Sequence, residues 1–248
     1  MKLFFKKNKP LFALLFRILG LLVGITAITL QLFTNSIVGK GFMANHVLAY
    51  FTVQTNILST LIFLYLIVKT VVISIKAKEL QIAHMYQSLH LACTFYITIT
   101  MTVFWAVLFP MLGIPNDPLQ IANNIFLHTL TPLCAIIDCV FFFKHGVLKK
   151  LDAVKWLSYP VLYLISVVII ANVSDVPYYQ FPMGGENIPL MYPYPFLDPQ
   201  VVTIGGSIGI MIGLLVIVYL FGLLYIFVDN KIAKHEEKQV EEEAISAK

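Results

Sequence analysis

Residues 202–228 read VTIGGSIGIMIGLLVIVYLFGLLYIFV, a run without a single charged side chain. An α-helix needs about 20 apolar residues to cross the hydrocarbon core of a bilayer, so this run predicts a membrane-spanning helix. Similar runs occur further towards the N-terminus, at approximately 11–33, 46–75, 86–110, 119–143 and 154–171. We therefore predict an all-α polytopic membrane protein with six transmembrane helices.

The composition supports this prediction. Of 248 residues, 59% are hydrophobic and 12% are charged, whereas soluble domains carry about 25% charged residues. A soluble core could not hide so much apolar surface. The net charge of +4 does not indicate a nucleic-acid partner, because basic residues of a membrane protein sort by side of the bilayer.

The basic residues set the predicted orientation. Sixteen of the 17 lysines and arginines fall at the N-terminus, in the second and fourth loops, or in the C-terminal tail, and Lys40 is the exception. These segments share one side of the membrane, and the side rich in lysine and arginine is cytoplasmic. We predict both termini in the cytoplasm, with a single membrane domain at 1–228 and a charged cytoplasmic tail at 229–248.

No metal or organic cofactor is predicted. Cys93, Cys134 and Cys139 all lie within apolar runs, and their spacing matches neither a disulfide framework nor a metal cluster.

The outward loop at about 172–200 is long and contains the aromatic and proline cluster MYPYPFLDP at 191–199. Bare loops do not occur in hydrocarbon, and tyrosines favour the headgroup level. The loop is therefore either a lid over the outer mouth of the bundle, formed by Tyr192, Tyr194 and Phe196, or a solvated connector.

Two helices carry polar residues in their outer halves. In the second, Thr52 and Asn56 share one face by their i, i+4 spacing, with Thr55 beside them. In the fourth, Asn124 and His128 share a face by the same spacing. The rise per residue places Thr52 and His128 at similar depth, so the two can meet if these helices are neighbours.

The chemistry of these residues has two interpretations. A threonine hydroxyl becomes a nucleophile when a base such as histidine takes its proton, and Asn56 or Asn124 could then stabilise the oxyanion. Alternatively, such polar residues simply join helices by hydrogen bonds. Residue types alone favour this second interpretation.

Other features predict structure rather than chemistry. Pro132 removes the helical hydrogen bond from the carbonyl of His128, leaving a free acceptor. Asp138 is too deep to orient that imidazole, and we expect it to be paired near the inner face. Gly205, Gly209 and Gly213 have the small-xxx-small spacing that allows helices to approach closely.

Four short motifs occur in an order that resembles a known family. They are YFTVQTN (50–56), VFW (103–105), HTLTP (128–132) and YPYPFLD (192–198). Together they are similar to the androgen-induced protein and androgen-dependent tissue-factor-pathway-inhibitor-regulating protein family, with its bacterial relatives. The likeness spans roughly residues 10–228. The spacing from His128 to Pro132 is one residue shorter than in animal members, and the loop before YPYPF is longer.

The resemblance implies a six-helix intramembrane hydrolase that cleaves fatty acid esters of hydroxy fatty acids. It implies Thr52 as the nucleophile, with Thr55 as its rival, and His128 as the base. It matches Tyr194 and Phe196 to the segment before the last helix, and it places the protein in a bacterial plasma membrane.

Two hypotheses follow. One is an ester hydrolase acting on lipid-like substrates near the outer leaflet; the other is a non-catalytic protein that binds or moves a lipid or small solute in the same cavity. In both, membrane lipids are the expected partners.

Overall fold

The computed structural model describes residues 2–38, 46–113, 115, 117–183 and 185–246, so Lys40 lies outside the described residues. Within these residues, six helices are long and apolar enough to span a membrane. This confirms the predicted class, an all-α integral membrane protein with several spans. The helices are α1 (Lys2–Val38), α2 (Phe51–Ala77), α3 (Gln87–Leu112), α4 (Pro118–Phe142), α5 (Lys150–Val173) and α6 (Pro199–Ser246).

Two helix boundaries differ from the prediction, namely the start of α2 and the end of α6. Helix α2 begins at Phe51 rather than near residue 46, because His46 is left-handed and Val47–Ala49 form a 3₁₀ turn. Thr52 therefore lies in the first turn of α2. Helix α6 continues through the charged tail as far as Ser246.

Helices α3 and α4 each contain one π-helical turn. The turn in α3 covers Phe104–Leu108, and the turn in α4 covers Phe126–Leu130. Such turns are rare in proteins as a whole, but those that occur are often found at functional sites. Each shifts the faces of the helix on either side of it, which decides where His128 points.

Helix α1 packs closely on α2 through two glycines. A Cβ atom built on Gly20 would lie 2.7 Å from the ring of Phe63, and one built on Gly24 would collide with the hydroxyl of Thr60. Small residues permit such approaches between membrane helices. The glycine pair that brings two helices together is therefore Gly20 and Gly24.

The predicted packing role of the α6 glycines is wrong. A Cβ atom at Gly205, Gly209 or Gly213 would have no described atom within 4 Å. Their spacing is right for close packing, but their face of α6 meets none of the described residues of the chain.

These two sets of glycines give a direct test of packing. Gly24→Ala is expected to destabilise the protein by about 1–3 kcal/mol, because a buried methyl group forces the helices apart. Gly209→Ala is the matched control and should leave stability unchanged or slightly higher, since alanine favours helix. Thermal unfolding in detergent measures both; equal effects would contradict the proposed contact.

The segment between α5 and α6, residues 174–198, is folded back onto the bundle and is called the outer segment below. It contains an antiparallel hairpin of β1 (Tyr179–Met183) and β2 (Glu186–Leu190), which the sequence analysis did not predict. Asp198 ends the segment and accepts hydrogen bonds from the backbone N–H groups of Met191, Tyr192 and Gln200. This carboxylate fixes the outer segment to the start of α6.

The predicted pairing of Asp138 is confirmed. Arg17 Nε donates to Asp138 Oδ1 at 2.8 Å, and both side chains are buried. Arg17 also donates to the carbonyl of Ala83 at 2.9 Å, and His90 Nε2 lies 3.6 Å from the other carboxylate oxygen. Arg17, counted above with the cytoplasmic flank, is thus inside the span Asn8–Thr34.

Candidate active site

Asn56 joins the two helices that carry the predicted site. Its Nδ2 donates to the carbonyl of Thr52 at 2.8 Å and to the carbonyl of Leu127, on α4, at 3.1 Å. Helices α2 and α4 are therefore in direct contact, and Thr52 and His128 lie at similar depth. Both amide protons of Asn56 bind carbonyls, so in this arrangement neither faces an oxyanion at Thr52.

Thr52 is buried at the first turn of α2 and lines an apolar pocket. The pocket is partly open, and about 640 Å³ of empty space lies within it when the open space at its mouth is counted. Helices α2, α3, α5 and α6 and the outer segment all contribute to its wall. Most lining side chains are apolar; the polar ones are Thr52, Thr100, Tyr163 and Tyr194. Thr52 thus lies in the wall of a largely apolar pocket.

His128 is buried beside the pocket without lining it. Its ring stacks on Phe104 with a centroid distance of 3.7 Å and an interplanar angle of 4°. The ring also contacts the backbone carbonyl of Thr100, and Nδ1 is buried with no hydrogen-bond partner in the part of the chain that the structure describes. The tautomer that donates Nε2–H to Thr100 leaves the lone pair on Nδ1, as a general base requires.

The carbonyl of His128 also has a partner. Pro132 cannot supply the usual helical donor, and Trp105 Nε1 donates to this carbonyl at 3.2 Å. The same indole N–H lies 3.1 Å from the hydroxyl of Thr129. The acceptor predicted from Pro132 therefore ties α4 to the π-helical turn of α3.

Thr55, the rival nucleophile, has its hydroxyl committed elsewhere. It donates to the carbonyl of Thr52 at 3.1 Å and lies 2.8 Å from the hydroxyl of Thr100. Thr55 is also absent from the pocket lining. The geometry thus favours Thr52 over Thr55 as the group that meets a ligand.

Asn124 does not accompany His128 as the i, i+4 spacing suggested. It is half-buried, whereas its neighbour Asn123 is buried and donates to Gln31 Oε1 on α1 at 2.7 Å. The π-helical turn at Phe126–Leu130 breaks the α-helical spacing between residues 124 and 128. Asn123 therefore joins α4 to α1, and neither asparagine lines the pocket.

The aromatic residues of the outer segment have different positions. Tyr194 is buried, lines the pocket and lies edge-on to Tyr50 at 6.1 Å. Phe196 stacks on Tyr194 at 5.4 Å and also lines the pocket. Tyr192 is half-buried and lies outside the lining. The outer segment therefore contributes Tyr194 and Phe196 to the wall of the pocket, and its role as a lid stays a prediction.

Sequence reasoning missed several residues of this site. Phe104 stacks on His128, Thr100 lies between His128 and the pocket, and Tyr163 is one of four hydroxyl-bearing residues in the pocket wall. Phe104 belongs to the VFW motif, which contributes to the family resemblance but did not predict a contact with His128. Tyr163 had no such signal, because it is one tyrosine within an apolar run.

Comparisons with family models, curated proteins and solved structures gave no match. Among the described residues, no group of three or more histidine, cysteine, aspartate or glutamate side chains is placed to hold a metal ion. The family resemblance therefore stays a prediction.

Proposed function

We propose that this protein is an intramembrane ester hydrolase acting on lipid-like substrates, with Thr52 as nucleophile and His128 as general base. The observation that carries this proposal is the position of Thr52 in the wall of a largely apolar pocket, near a buried histidine whose Nδ1 has no hydrogen-bond partner among the described residues. The substrate class expected from the family resemblance, fatty acid esters of hydroxy fatty acids, suits an apolar lining, and a bacterial plasma membrane is the proposed location.

In this mechanism, the Thr52 oxygen attacks the ester carbonyl while its proton passes to His128. The leaving alcohol then takes that proton, and water, activated by the same imidazole, releases the acid from the acyl-enzyme. Among the described residues no hydrogen bond joins the two side chains directly. The transfer therefore requires a turn of the Thr52 side chain or a bridging water, and catalytic hydrogen bonds often tighten only when substrate binds.

A non-catalytic lipid-binding protein is the second candidate. It is favoured by the position of His128, which lies behind Thr100 rather than in the pocket lining. A binder needs only the apolar lining and a few hydroxyls, and it makes no use of a free imidazole nitrogen.

Covalent labelling separates the two candidates. The purified protein in detergent is treated with an alkyl fluorophosphonate, and the modified residue is located by mass spectrometry. The hydrolase is expected to label at Thr52, and Thr52→Val should abolish labelling while Thr55→Val retains it. A folded protein that binds a lipid ester but never labels or hydrolyses it would support the binder and contradict the hydrolase.

A further inference from the structure

The polar end of the pocket contains two hydroxyl groups that the mechanism above does not use. Tyr163 is buried to more than nine-tenths; among the described residues its hydroxyl has no fully formed hydrogen bond and only weak polar contacts with the Tyr194 hydroxyl and the Phe51 backbone. Tyr194, on the outer segment, reaches the same end of the pocket. A phenol O–H without a well-formed hydrogen bond in an apolar setting is costly, so a ligand atom in the pocket that accepts a hydrogen bond would lower that cost.

Packing holds both phenols at the first turn of α2. The ring of Tyr163 lies edge-on to Phe51 at 5.1 Å, and the ring of Tyr194 lies edge-on to Tyr50 at 6.1 Å. The first helical hydrogen bond here runs from Gln54 N to the carbonyl of Tyr50. The N–H groups of Phe51 and Thr52 precede it, so they have no acceptor within the helix.

The phenol oxygen of Tyr194 lies where these groups converge. Burial raises the pKa of Tyr194, and contacts of its oxygen with the Thr52 hydroxyl, the Thr52 N–H, the Tyr163 hydroxyl and the Phe51 N–H oppose that shift. The phenol consequently keeps its proton at neutral pH. A hydroxyl whose oxygen already accepts hydrogen bonds becomes a stronger donor through its own proton.

We infer that Tyr194, assisted by Tyr163, is the hydrogen-bond donor to the carbonyl oxygen that becomes the oxyanion when Thr52 attacks. This inference rests on the proposed hydrolase function. It assigns to two tyrosines the role that Asn56 cannot fill while both of its amide protons bind carbonyls.

The step is balanced without a further reactant. The Thr52 oxygen forms a bond to the carbonyl carbon, the carbonyl π electrons move to its oxygen, and the threonine proton goes to His128. Tyr194 donates a hydrogen bond to the resulting oxyanion, Tyr163 supports it through its contact with the Tyr194 oxygen, and both phenols keep their protons. When the intermediate collapses, the carbonyl re-forms, the ester C–O bond breaks, and His128 protonates the leaving alkoxide.

Tyr194→Phe tests the inference, since it keeps the ring and removes the donor. The substrate is a long-chain p-nitrophenyl ester in detergent micelles. We expect kcat to fall about 10²-fold, as on loss of an oxyanion donor, with little change in KM. The binding of a non-hydrolysable ether analogue should also stay unchanged. Tyr163→Phe should lower kcat less. Tyr192→Phe, on the same segment but outside the lining, is the matched control.

Three outcomes decide the matter. If kcat falls while ether binding and thermal stability hold, the inference stands. If Tyr194→Phe and Tyr163→Phe keep wild-type kcat, or lose ether binding and stability as much as kcat, the tyrosines are structural and the inference is overturned while the Thr52-dependent hydrolase remains. A wild-type protein with no Thr52-dependent turnover would remove both proposals.

Discussion

Thr52→Val and His128→Gln are each expected to lower ester hydrolysis by about 10³-fold or more, and the double variant should be no slower than the slower single variant. Groups that act together in one step show this non-additivity, because removing either one already disables the step. In the proposed mechanism, Thr52 Oγ1 forms the new bond and His128 Nδ1 receives its proton, so neither acts without the other.

The measurement is kcat/KM for a lipid ester with protein purified in detergent, together with the melting temperature of each variant. Thr55→Val is the matched control on the same helix. Its hydroxyl bonds Thr52 and Thr100 outside the pocket, and activity should change little beyond any loss of stability. Additive losses of kcat/KM in the double variant of Thr52 and His128 would contradict the assignment. So would an inactive Thr55→Val together with an active Thr52→Val.

The helices were predictable because their signal is local. A bilayer demands about 20 apolar residues per span, and uninterrupted runs such as residues 202–228 meet that demand alone. The similar depth of Thr52 and His128 was also predictable, because it follows from the helical rise per residue. In the structure, Asn56 bonds the carbonyls of both Thr52 and Leu127, the neighbour of His128. The predicted start of α2 was wrong because the local signal there is weak. Residues 46–50 are apolar enough for a helix, yet the backbone of His46 is left-handed.

The arrangement around His128 was not predictable, because tertiary packing sets it. A π-helical turn leaves no mark in the sequence. In α4 it separates Asn124 from the face of His128, and in α3 it accompanies the stacking of Phe104 on the imidazole. Glycine spacing was equally ambiguous: the pair Gly20 and Gly24 contacts α2, whereas the triplet starting at Gly205 contacts none of the described residues.

The buried pair of Arg17 and Asp138 carries the second large prediction. Arg17→Leu is expected to destabilise the protein by about 3–5 kcal/mol, since it leaves an uncompensated carboxylate in the interior. Both side chains are at most 1% exposed, and Arg17 Nε lies 2.8 Å from Asp138 Oδ1. The melting temperature in detergent should fall sharply, with recovery of folded protein falling alongside it.

The double variant Arg17→Leu/Asp138→Leu distinguishes a pairing effect from a packing effect. Replacing a whole buried ion pair with apolar residues is often neutral or stabilising, so the double variant should recover most of the stability lost by Arg17→Leu. Lys155→Leu is the control, because Lys155 pairs with Asp152 at 3.4 Å while 59% exposed, and such pairs contribute at most about 1 kcal/mol. A double variant as unstable as Arg17→Leu would mean that Arg17 acts mainly through the Ala83 carbonyl, holding the loop between α2 and α3 against α1 rather than neutralising Asp138.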